Sequence, residues 1–141
     1  MIFKMLTIVA GLTIVLWSGT PSAHGQKATE IFIPVGQSPG LSGKTTVVGT
    51  IATIDARART VTVGGPSGSW SATITDRTKI WLDRSKLRLT SQKGTFADFK
   101  TGLLAEVKYV DPEATTKGKG TAEWVKIQVP EPTAPSGGQG R

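Results

Sequence analysis

From Thr45 onward the apolar residues recur at every second position, which is the period of a strand with one buried face. Thr45 to Asp55 is rich in β-branched residues: Thr45, Thr46, Val47, Val48, Thr50, Ile51, Thr53 and Ile54. Asp55 to Arg59 is a polar connection, and Thr60-Val61-Thr62-Val63 resumes the alternation, which predicts a hairpin. Gly64 to Ser69 is a second turn. In a third strand Trp70, Ala72 and Ile74 share one face, with Ser71, Thr73 and Thr75 opposite. The parity is disturbed at Asp76-Arg77, which predicts a bend or bulge, and Lys79 to Asp83 continues the strand. Phe96 and Phe99, three apart and ahead of Gly102, predict one short helical turn. Leu103 to Val110 forms a fourth strand, with Leu103, Ala105, Val107 and Tyr109 on one face. Asp111 to Gly120 is a solvated loop, and Ala122 to Val129 is a fifth strand with Val125, Ile127 and Val129 inward.

Five strands with a helical turn between the third and fourth is the element order of an OB-type barrel. Closure hides the edges that an open five-stranded sheet would expose. The expected fold is therefore all-β, a five-stranded OB-like barrel with one short helical turn; an open sandwich is the alternative.

The flanks read differently. Lys4 precedes an uncharged run from Met5 to Trp17, and a membrane-spanning helix needs about 20 apolar residues. That run is short of a span and fits the helical core of a secretory signal peptide. Ala23-His24-Gly25 places small residues at −3 and −1, so cleavage is expected after Gly25, with Ala23 as the alternative. No Cys stands near the cut to carry a lipid anchor, and no Arg-Arg pair marks the folded-protein export route. Residues 26–44 are irregular, although Ile31 to Val35 is apolar enough for a short edge strand in spite of Pro34. Residues 130–141 are low in complexity and expected to be disordered. The expected organisation is a signal peptide over 1–25, an irregular segment over 26–44, the barrel over 45–129 and a tail over 130–141.

Composition sharpens this. The chain has 141 residues, no Cys, one His and a formal charge of +7. That length fits one domain, and the Cys count excludes disulfides, thiolate metal sites and a thiol nucleophile. Loss of the leader removes Lys4 and His24, leaving 116 residues, a formal charge of +6 and no His-based acid or base.

The segments Gly49 to Val63, Thr75 to Ile80, Phe96 to Val107 and Ala122 to Val129 together look familiar. Their pattern runs glycine and hydrophobic strand, Ile-Asp, turn, Thr-Val-Thr-Val, Thr-Lys-Ile, then Phe-x-x-Gly-x-x-Ala-x-Val. It resembles small exported bacterial OB-like domains of unknown function. Where that family commonly has a charged residue beside the glycine, Gly102 is followed by Leu-Leu-Ala. The resemblance implies an OB-like fold and export, and it implies no catalytic residues.

Candidate chemistry is sparse. Gly43-Lys44-Thr45 matches the end of a phosphate-binding loop, but position 38 is Ser and a strand follows instead of a helix, so it reads as a loop entering the first strand. The acids fall mostly at turns, where Asp satisfies nearby N–H groups. A hydrolase working on glycans would need two carboxylates about 5 to 10 Å apart across a cleft. Arg77, Lys79, Arg84, Lys86, Arg88 and Lys93 form a basic run suited to a polyanion or to plain solvation. If Ile80, Leu82, Val125 and Ile127 point inward, then Trp81 points outward beside Lys79, and Trp124 outward beside Lys126. Adjacent third and fifth strands would join these pairs into one stacking surface. The expected ligand-binding residues are thus Arg77, Lys79, Trp81, Trp124 and Lys126, with no catalytic residue, metal or cofactor. The expected function is a periplasmic or secreted binding module for an unknown envelope ligand or protein, with an anionic or glycan ligand favoured. A small carboxylate-dependent envelope hydrolase and a structural accessory that docks another envelope protein are the alternatives. Export argues against cytoplasmic nucleic acid, and membrane contact is expected only through the signal peptide before cleavage.

Overall fold

A computed structural model describes residues 31–133, so the expected signal peptide over 1–25 and most of the expected tail over 130–141 lie outside the described residues. The strands are β1 (Thr46–Asp55), β2 (Thr60–Gly65), β3 (Gly68–Thr73), β4 (Lys79–Asp83), β5 (Gln92–Lys93), β6 (Leu104–Tyr109) and β7 (Lys119–Gln128). Single 3₁₀ turns cover Ser85–Leu87 and Phe96–Asp98, and a one-turn helix α1 (Ala114–Lys117) precedes β7.

The sheet runs β3-β2-β1-β6-β7 and closes through a parallel pairing of β3 with β7. This is a closed barrel with the OB strand order. The seven segments reduce to the five expected strands once β3 and β4 are taken as one strand broken in the middle, with the two-residue β5 added at the edge. The break falls at Asp76-Arg77. Thr78 Oγ1 donates to Ala122 O (2.8 Å), filling the acceptor that the interrupted ladder would leave open. Beyond the break β4 pairs parallel with the second half of β7, Lys79 opposite Trp124 and Trp81 opposite Lys126.

Strand parity sets the core. Val47, Val107, Val125 and Ile80 lie opposite one another across β1, β6, β7 and β4 and fill one layer. Ile51, Ile74 and Ile127 are at most 1% exposed, and each such burial contributes about 1.5–3 kcal/mol. Gly49 occupies an inward position where β1 bends around β2; a Cβ there would meet Val63 Cγ1 at 2.8 Å and the Gly64 backbone closer still. Phe96 and Phe99 close one end of the barrel edge to face, with centroids 5.3 Å apart. At the other end Trp70 Nε1 donates to Thr115 O (2.8 Å) and ties β3 to α1. The expected edge strand at 31–35 does not form; those residues make turns, because Pro34 has no N–H for a ladder and Pro34 O instead accepts from Gln37 N.

Tyr109 spans the barrel mouth and donates from its hydroxyl to Ser71 O (3.2 Å). Burial pushes its phenol up to about 12, against about 10 in an unfolded chain. The native state therefore holds the proton more tightly, and the stability this gives is complete below pH 10 and lost as pH rises toward 12. At about 1.4 kcal/mol per pH unit the loss is roughly 2–3 kcal/mol. Denaturant titrations of the parent and of Tyr109→Phe across that window are expected to show a fall larger in the parent by about that amount.

Candidate functional site

The outer face of β1, β6, β7, β4 and β5 carries two in-register rows. One runs Val48, Glu106, Lys126, Trp81 and Lys93, and the other Thr46, Lys108, Trp124 and Lys79. The parity argument for the tryptophans therefore describes the strands correctly: Trp81, Trp124, Lys79 and Lys126 share one outward face. Arg77 stands apart, exposed at the break between β3 and β4.

That face is not open along its length. Residues 31–45 form a chain of turns laid across it, a strap with Val35 5% and Ser38 2% exposed. Charged side chains on the barrel hold the strap by its backbone. Asp83 Oδ2 accepts from Val35 N (2.9 Å), and Glu106 Oε2 accepts from Gly36 N (2.9 Å). Glu106 Oε1 accepts from the hydroxyls of Ser42 and Thr46 (2.7 Å each). Lys126 Nζ donates to Ile33 O (3.0 Å) and Ser38 Oγ (3.3 Å) while lying 4.9 Å from the Trp124 ring centroid. Trp124 is 7% and Lys126 1% exposed, so these two residues face outward and yet lie beneath the strap.

What stays accessible is the outer end of the rows. Lys79 and Lys93 are exposed and Trp81 is half-buried between its register partners Lys93 and Lys126. Neither Lys79 nor Lys93 has an ion pair with any described residue. Lys93 belongs to the basic run, but its pairing to Trp81 is invisible in the sequence, because a two-residue strand leaves no periodic signal. The roles of Asp83 and Glu106 are equally hidden, since they lie in contacts 48 and 70 residues away along the chain.

Two further surfaces frame the choice of site. The outer face of β2 and β3, a common ligand face of OB barrels, pairs Thr60 with Thr73, Thr62 with Ser71 and Gly64 with Ser69, and offers no aromatic ring. An open groove of about 620 Å³ lies at the strand break, lined by Asp76, Arg77, Val110 and Glu123 among others. Among the described residues no group of His, Asp and Glu could hold a metal ion.

No family model matches the chain, and no curated protein matches it. Among solved structures it is similar to a copper(II) structure of a tryptophan-to-alanine variant of CusF from Escherichia coli. Identity is 15% and the TM-score 0.39, over 59% of this chain and 89% of that one. The assignment as an OB-like barrel rests on strand order and register.

Glu106→Ala removes the acceptor for one backbone N–H and two hydroxyls in a site that excludes water. A buried donor left without a partner costs about 1–3 kcal/mol. The expected result is a loss of at least that size in denaturant unfolding, together with faster hydrogen exchange at the Gly36 amide.

Proposed function

We propose that the protein is an exported, non-catalytic binding module of the bacterial cell envelope that takes an anionic partner at its β4–β5 edge. One observation carries the reading: Trp81 lies between cations on the outer face, with Lys93 opposite it, Lys79 two residues before it and no acid among the described residues paired to either lysine. A partly exposed indole offers a face on which a sugar ring or base can stack. Flanking ammonium groups draw phosphate or carboxylate without demanding a particular sequence, and that attraction weakens with salt. The leader-like segment and the basic composition support an exported protein with a negatively charged partner. The occupant is a phosphorylated or acidic polymer in this reading, and Trp124 and Lys126 contribute by supporting Trp81 from beneath the strap.

Calorimetric titration of the isolated protein with polyphosphate and with polygalacturonate, each at low and high salt, tests this. Binding is expected to weaken steeply with salt, and Trp81→Ala to cost about 1–3 kcal/mol of affinity, the range for one aromatic stacking partner. Lys79→Gln with Lys93→Gln, both at exposed positions, provides a second variant that spares the packing. Unchanged affinity in both variants overturns the site, and no binding to either polymer favours docking to another envelope protein.

Carboxylate-dependent glycan hydrolysis is a second reading, favoured by one observation: Asp76 and Glu123 line the same open groove beside Arg77. It predicts release of reducing ends from envelope glycans that disappears in both Asp76→Asn and Glu123→Gln. A parent protein that releases none removes it.

A further inference from the structure

Between β4 and β5 the chain turns through a short loop of unusual make-up. Arg84, Lys86, Arg88 and Lys93 fall within ten residues that contain no acid. The flanking acids are engaged elsewhere: Asp83 accepts from Val35 N and Ser85 N, and Asp98 accepts from Thr95 N. The loop is closed on itself. Leu87 N and Leu89 N both donate to Arg84 O, Arg88 N donates to Ser85 O, and Arg84 Nε donates to Thr90 O at 2.8 Å. Arg88 sits in the left-handed region (φ 56°, ψ 32°), where glycine would be unstrained. A cation is thus kept at the turn against the backbone preference. Neither Lys86 nor Arg88 has a side-chain hydrogen bond or ion pair with any described residue. Leu89, next to Arg88, is 51% exposed.

A single exposed leucine is ordinary on a soluble domain. An exposed leucine set among unpaired cations on an ordered loop has the two parts of an interfacial contact, one for headgroup phosphate and one for the acyl boundary. We propose that this loop seats the folded domain on an anionic phospholipid surface, with Lys86 and Arg88 meeting headgroup phosphates and Leu89 entering the acyl boundary. The sequence alone confines membrane contact to the leader; the loop gives the folded domain a contact of its own. The inference rests on the same preference for anions as the β4–β5 edge but uses residues outside Lys79, Trp81 and Lys93. A soluble polyanion would use the cations and leave Leu89 idle, so Leu89 separates the two partners.

The test is co-sedimentation of the exported protein with vesicles of phosphatidylcholine alone, or of phosphatidylcholine and phosphatidylglycerol in equal parts. Binding is expected only with phosphatidylglycerol present. Lys86→Gln with Arg88→Gly is expected to weaken it about 25-fold, about 5-fold for each cation brought to the surface. Arg88→Gly also relieves the left-handed turn, so the fold is kept. Leu89→Ser is expected to weaken vesicle binding while leaving polyphosphate binding unchanged. No binding to phosphatidylglycerol vesicles, or binding indifferent to Leu89→Ser, overturns the proposal. Trp81→Ala keeps the two readings apart: it lowers polyphosphate affinity if the edge site is right and leaves vesicle binding in place if the loop is right.

Discussion

A carboxylate with no exposed surface must have its oxygens satisfied by the protein, and Glu106 stands on the outside of a barrel with that requirement. Its register neighbour Lys126 carries the opposite charge and is buried as well. Neither would stay dry on a bare sheet. The segment before β1 supplies what both need: N–H and hydroxyl groups for Glu106, a carbonyl and a hydroxyl for Lys126. The outer face is thereby divided into a covered part around Trp124 and Lys126 and an open part around Lys79, Trp81 and Lys93. Which aromatic ring stays open to solvent is decided by where the strap's polar anchors fall.

Much of the barrel was legible because its signal is local. Alternation identified inward residues of β3, β6 and β7, among them Ala72, Ala105, Val107, Val125 and Ile127, though Val129, also expected inward, lies past the end of β7. The loss of parity at Asp76-Arg77 marked the place where β3 gives way to β4. The outward direction of Trp81 and Trp124 followed from the same parity. Their exposure did not follow, since parity says which side of a sheet a residue takes and nothing about what covers that side. The cover comes from turns that carry no periodicity and are held by backbone groups. Asp83, Glu106 and Lys126 could be read as ordinary solvated charges on alternating strands, and only the fold brings their partners to them.

The distribution of chemistry over the barrel is lopsided. The β2–β3 face is a ladder of threonine, serine and glycine whose short side chains give little to hold a ligand by dispersion or stacking. The β4–β5 side has the half-exposed indole, the unpaired lysines and the ordered cationic loop. Arg59, from the β1–β2 connection, is turned to structural use, its Nε donating to Ile74 O and its guanidinium 5.1 Å from the Phe96 ring centroid. Exposed cations also stand elsewhere, at Lys44, Arg57, Arg77, Lys100 and Lys119, and what sets the β4–β5 side apart is the half-buried indole among its cations.

The strap also bears on the order in which the molecule is made. Its contacts join residues 48, 70 and 93 positions apart, the longest from Ile33 to Lys126 in the last strand. Pairings of such separation pay their loop-closure entropy before any return and are slow to form. Local hairpins such as β1–β2 and β2–β3 can assemble while the chain is still emerging, but the strap must wait for β7. The covered outer face is finished only when the beginning and the end of the folded chain have come together, so a chain cut short before β7 carries the β1–β2–β3 hairpins without it.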